Sequence, residues 1–194
     1  MKFHLFILMQ IFALSANAWT VIVMTKPNAQ WINVLDEKNP LKVGQFLAFG
    51  DTVITGPGTK LKLVEQHSVM VIGENSTVKI EESPYKDGVP HPATLFLQNG
   101  TLRLQVDPPE AKKYRYKIPS IVAGVRGTEF VLAASKEKEV LCVLEGSVEA
   151  EISATKKKAV VKKNIGWIRE GLDEGKLLPT TVEQRQEWVK ATSL

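Results

Sequence analysis

An all-β fold is the expectation for this 194-residue chain, and three observations carry it. Short runs alternate apolar and polar residues with a period of two. Turn signals centred on glycine separate those runs at close spacing. A helix-start signal appears only near the C-terminus. Many short strands in a compact sandwich, barrel or solenoid-like arrangement, with a short C-terminal helix, fit this pattern.

The first element is read as a targeting segment. Lys2 is positive, Leu5 to Leu14 is apolar except for Gln10, and Ala16 and Ala18 sit in the small-residue positions before a cleavage site. That is the pattern of a secretory signal peptide over residues 1–18. The apolar run is about half the roughly 20 residues that a membrane helix needs. No later run is long and apolar enough to span, and no cysteine follows the site to carry a lipid. The mature chain is expected to begin near Trp19, after cleavage near Ala18, and to be periplasmic or secreted.

Removing residues 1–18 leaves 176, enough for one domain with a core. The formal charge of +4 falls to +3 with the loss of Lys2. That is too little to imply nucleic acid. Cys142 is the single cysteine, so no internal disulfide can form. Its setting, Val140-Leu141-Cys142-Val143-Leu144, predicts a buried strand thiol that behaves as a small apolar residue.

The strand signals follow in order. Leu61 and Leu63 share a face of Thr59 to Val64. Val78 and Ile80 do the same in Ser76 to Glu81, as do Leu102, Leu104 and Val106 in Thr101 to Val106. Gly50-Asp51, Gly56-Pro57-Gly58, Gly73-Glu74-Asn75, Asn99-Gly100 and Glu145-Gly146 mark turns. Asn99-Gly100 between two apolar runs predicts a hairpin. Glu81 to Pro92 holds three prolines and is expected to be an exposed loop, since proline lacks a ladder donor. Asp107 to Lys113 is expected to be a second loop. The β domain is placed at 19–178 and a capped helix with its tail at 179–194. Thr180 and Glu183 supply the expected capping box, and Trp188 and Val189 the docking face.

Several pieces then line up. Val43-Gly44-Gln45, Gly50 to Gly56, Leu61 to Val64 and Val69 to Ser76 occur in one order with Leu95 to Leu102, Val125-Arg126-Gly127-Thr128-Glu129-Phe130 and Val143 to Val148. Together they resemble the FecR domain family, β-rich modules of bacterial cell envelopes, over roughly residues 30 to 170. Departures are Glu65-Gln66-His67-Ser68, where the family usually has an acidic residue with Gly or Ser, and Ser120 after Pro119, where it tends to have Thr-Pro. The resemblance implies a stand-alone module without the cytoplasmic region and membrane span of the founding regulators. It implies the module rather than their signalling circuit.

Arg126, Gly127, Thr128 and Phe130 form the family signature and are expected to be structural. A buried guanidinium needs carboxylate or carbonyl partners; Glu129, Glu145 and Asp51 are candidates. Gly127 would permit a bulge, and Thr128 could bond to a neighbouring turn. Candidate interaction residues are Tyr85 in the first loop and two basic clusters: Lys112, Lys113 and Arg115 with Lys117, and Lys156 and Lys158 with their lysine neighbours. The clusters could meet anionic polymers, though charge runs usually face water. Tyr114 and Tyr116 are read as exposed aromatics on an alternating face, with core packing as the commoner alternative.

No catalytic set is legible. His67 and His91 alone remain after cleavage, and no metalloprotease, nucleophile-elbow or phosphate-loop spacing occurs. Gly56-Pro57-Gly58-Thr59-Lys60 has the wrong spacing for a phosphate loop. Neither a cofactor nor a metal is expected. The reading is an exported, non-catalytic interaction or scaffold module of the cell envelope, in sensing or signal relay, whose partner is an envelope protein. A glycan- or envelope-polymer-binding module is the alternative.

Overall fold

The computed structural model describes residues 19–81, 85–86, 89–90, 92–108, 114–125, 127–171 and 173–194. The expected signal segment 1–18 lies outside them, as do Arg126, Lys112 and Lys113. The chain is all-β with one C-terminal helix. The strands are β1 (Trp19–Met24), β2 (Ala29–Ile32), β3 (Lys38–Pro40), β4 (Phe46–Leu47), β5 (Thr52–Thr55), β6 (Leu61–Glu65), β7 (Ser68–Ile72) and β8 (Thr77–Glu81). They continue with β9 (Tyr85–Lys86), β10 (Val89–Pro90), β11 (Ala93–Val106), β12 (Tyr114–Ile118), β13 (Ile121–Val125) and β14 (Thr128–Ala134). The last are β15 (Lys138–Glu145), β16 (Ser147–Ile152), β17 (Lys158–Lys162), β18 (Ile165–Glu170) and β19 (Lys176–Pro179), followed by α1 (Val182–Ala191).

Seventeen of these strands join in one mixed sheet, which folds back on itself as two layers. The first layer runs β4-β1-β6-β7-β11-β14-β15-β18-β19. The second runs β3-β2-β5-β8-β11-β12-β13-β16-β17. The chain changes layer every one or two strands, so consecutive hairpins alternate between them. The layers meet through side chains: Trp19 of β1 packs 5.9 Å from Tyr114 of β12, and Tyr116 packs edge-on to Phe130 at 5.1 Å. Both layers send their period-two apolar residues, such as Leu61, Leu63, Val78 and Ile80, into one core. The sheet does not close into a barrel.

β11 is the hinge of the architecture and differs from expectation. Asn99-Gly100 is not a hairpin tip. Thr94 to Asn99 pair with β8 in the second layer, while Gly100 to Val106 pair with β14 in the first. The strand runs on through the corner, with a register shift between Leu97 and Asn99. Strands that pass between packed sheets bend in this way. Gly100 makes the bend possible: its φ is +98°, and a Cβ there would stand 2.5 Å from Ser76 Cα. Glycine was needed for its φ and its lack of a side chain, not for a two-residue turn.

Other expectations also shift. The proline-rich stretch contains a small separate hairpin of β9 and β10, where Pro90 costs nothing to the main ladder. The helix begins one residue later than expected. Thr181 is the cap and Gln184 completes the capping box; Thr180 is instead buried, with its hydroxyl donating to the Asn164 carbonyl. Half-buried Trp188 and Val189 lie toward the sheet. Lys60 Nζ donates to the carbonyls of Lys190 and Ser193, both at 2.8 Å, which places a cation at the negative end of the helix. Val131, Val140 and Cys142 are buried on the outer side of the first layer, where Cys142 meets Thr180 just before the helix. Among the described residues no helix is long and apolar enough to cross a membrane.

Candidate functional site

The signature turn lies at one end of the first layer. Arg126 itself falls outside the described residues. Gly127 has φ +60°, and a Cβ on it would stand 2.8 Å from the Pro108 ring. Thr128 opens β14 and is buried, and its hydroxyl has no partner among the described residues. The expected bond from Thr128 to a turn is therefore not formed there. Phe130 is fully buried against Tyr116. The register of β14 on β15 shifts between Glu129 and Phe130, next to the glycine that was expected to permit a bulge.

A cleft of about 240 Å³ opens beside this turn, lined by His67, Asp107, Thr128, Glu129 and Glu145 among others. Its acids are engaged. Arg103 holds Glu129 through Nε and Nη2, Lys163 reaches Glu145 at 2.6 Å, and His67 Nδ1 is 3.6 Å from Asp107. Asp51, a further expected partner for arginine, accepts from the Ala48 amide at 2.8 Å. Burial pushes the Asp51 carboxyl above its ordinary range, with the Ala48 bond opposing that shift. No three His, Cys, Asp or Glu residues among those described are placed to hold a metal. Among the described residues these pairs tie strand ends together.

Two buried carboxylates that the sequence reading missed join the layers. Glu139 is 0% exposed; it accepts from the Ser120 amide at 3.0 Å, from the Ser120 hydroxyl at 3.1 Å and from Arg169. Glu65 accepts from the Tyr114 hydroxyl at 2.9 Å. Burial and the neighbouring Glu65 carboxylate push the Tyr114 phenol far above its ordinary value. Glu139 was legible only as an acid at the start of the apolar run Val140 to Leu144. Of the two readings of Tyr114 and Tyr116, core packing, the commoner, is the one the fold adopts: both are buried. Cys142 is buried in β15, and burial raises its thiol pKa.

The basic candidates are scattered. Arg115 is exposed on β12. Its neighbour Lys117 lies over the Phe96 ring at 4.3 Å and 3.7 Å from Glu81. Lys156 and Lys158 pair with Glu151 and Glu149 at 3.6 and 3.5 Å. These lysines form a charge-balanced ladder with acids of the adjacent strand. Tyr85 belongs to β9, but its side chain lies outside the described residues.

The four open edges of the layers are not alike. β3 carries Lys38 and Pro40, β17 carries Lys158 and Lys162, and β19 carries Lys176 and Pro179. Lysine and proline on an edge discourage further pairing. β4 carries neither. Its Phe46 is 67% exposed, and Val43 just before it is 57% exposed. Ile22 and Val23 on the adjacent β1 are also exposed. This edge was missed because the sequence reading had absorbed Val43-Gly44-Gln45 into a domain-opening turn.

The FecR protein family model matches residues 51–149. The chain belongs to the FecR family. The matched part of this FecR protein runs from β5 into β16 and includes the signature turn and the β11 corner. The β1–β4 edge and α1 lie outside it. Two crystal structures of a "putative anti-sigma factor" from Parabacteroides distasonis ATCC 8503 share the fold, each with 14% identity and a TM-score of 0.57. The alignments cover 71% of this chain and 64% and 63% of those chains. The chain thus spans less than two thirds of their length. No curated protein matches the chain.

Proposed function

We propose that this FecR protein is an exported, non-catalytic interaction module of the cell envelope that serves sensing or signal relay by docking a partner protein. The single observation that carries the docking claim is the β4 edge: among the described residues this two-residue edge strand carries no lysine or proline, and Phe46 within it and Val43 before it are exposed, with Lys42 exposed beside Val43. An exposed apolar edge is a template for an added strand. Membership of the FecR family supports the signalling class, and the anti-sigma name of the structural neighbours agrees with it. The signal-like residues 1–18 support export. Arg115, Lys156 and Lys158 are assigned to the solvated rim, where their charges favour encounter more than affinity.

The test is cell fractionation with mass measurement of the protein. The reading expects a periplasmic or secreted species that starts near Trp19 and co-purifies with one envelope protein in stoichiometric amount. A full-length species confined to the cytoplasm would contradict it.

A further inference from the structure

A second surface shares no lining residue with the cleft beside the signature turn. A cleft of about 350 Å³ separates Trp188 of α1 from the β11 corner. Its lining includes Gly100 and Ala133, which contribute no bulky side chain, and the polar residues Glu74, Asn75 and Asn99. The cleft is open to solvent, so a ligand there would keep one side in water. We propose that this cleft is a saccharide-binding site that takes a neutral pyranose ring against the Trp188 indole.

The chemistry of the walls points to that class. A pyranose has a face of C–H groups and an edge of hydroxyls. The negative face of an indole attracts the weakly positive C–H face. Lining residues without bulky side chains let the ring approach closely. The hydroxyl edge then meets two amides and a carboxylate, groups that donate and accept in fixed directions.

Two of those groups are held in advance. Asn99 Nδ2 donates to the Asn75 carbonyl at 2.9 Å, which leaves the Asn99 side-chain oxygen as an acceptor. Glu74 accepts from the Gly58 amide at 2.6 Å. The Asn75 side chain and the indole N–H of Trp188 make no hydrogen bond to described residues and are available. Polar groups that are already oriented lose less entropy on binding.

Charge argues against an anionic polymer here. Lys138 at the rim is 3.0 Å from Glu170, so Glu74 is the charge left facing the cleft. Binding should therefore be insensitive to salt. A neighbouring cleft lined by Lys60, Gly73, Glu187 and Lys190 shares Glu74 and Thr101 with this one. The site is separate from the β4 edge, and its failure would leave the protein-docking proposal standing.

The test is NMR titration of the mature chain with chitotriose and with maltotriose. The protein has four tryptophans, and Trp188→Phe identifies the indole signal of Trp188. The expected result is a saturable shift of that signal by at least one of the two sugars, with a Kd below about 1 mM. Asn75→Gly, which suits the left-handed backbone at this position (φ +51°) and removes only the side chain, should weaken binding about threefold to tenfold with little change in melting temperature. Trp188→Phe keeps an aromatic face and should bind measurably; Trp188→Ala should not bind. If neither sugar moves the Trp188 signal at about 10 mM, the proposal is overturned. It is equally overturned if binding persists in Trp188→Ala, or if raising the salt abolishes it.

Discussion

Tyr114 shows how a single residue changes meaning between sequence and structure. Its alternation with Arg115 and Tyr116 was legible, but which face was inward was not, because aromatic residues suit either face of a strand. The deciding partner, Glu65, is 49 residues away. Tyr114→Phe removes the donor to a buried carboxylate and should cost about 1–3 kcal/mol in urea unfolding. Asp51 offers a pH test. Its folded pKa is raised above 3.8 by burial. Between those two values the folded chain keeps a proton that the unfolded chain has released. Stability from this group therefore falls as pH rises through that window, and the cost is complete above it. Asp51→Asn keeps an acceptor for the Ala48 amide without the buried charge. Its melting temperature relative to the parent should be higher at pH 7 than at pH 3. An equal difference at both pH values would remove the role given to burial.

At the scale of elements, β11 carries the argument. The periodicity of Leu95 to Leu97 and Leu102 to Val106 was readable, and so was the need for glycine between them. What could not be read was whether the chain reverses or continues, since both outcomes require an unusual φ. The answer depends on Ser76, which occupies the space that a side chain at position 100 would need. Gly100→Ala should destabilise the fold by about 3 kcal/mol through strain and overpacking. A neutral effect in thermal unfolding would mean the corner is more forgiving than its geometry. The helix was similarly legible in kind but not in register. Thr180-Thr181 offers two possible caps, and burial of Thr180 beside Asn164 and Cys142 selects the second.

Across the whole molecule, scaffold and surface divide along the chain only in part. The family match covers residues 51–149, which build most of both layers, the corner and the signature turn. Of the two surfaces proposed to meet partners, the β4 edge lies in the N-terminal flank, whereas the Trp188 cleft takes its tryptophan from the C-terminal flank and the rest of its lining from within the matched segment. Composition and turn spacing revealed the all-β class because strand alternation is local. The surfaces were hidden because exposure depends on which strand has no neighbour, and pairing over such distances is not local. The described part of the signature follows the same distinction: Thr128 and Phe130 are buried, and the acids near them are paired.

The most direct test is photo-crosslinking in intact cells, with a photoreactive phenylalanine analogue at position 46 of the exported protein. The account predicts one discrete adduct with an envelope protein. That adduct should be absent from a probe placed on the lysine-protected β17 edge and should be lost when Val43 is replaced by Asp. Val43 is exposed, so that replacement should leave stability within about 0.5 kcal/mol. No adduct at position 46, or the same adduct from both edges, would contradict the account.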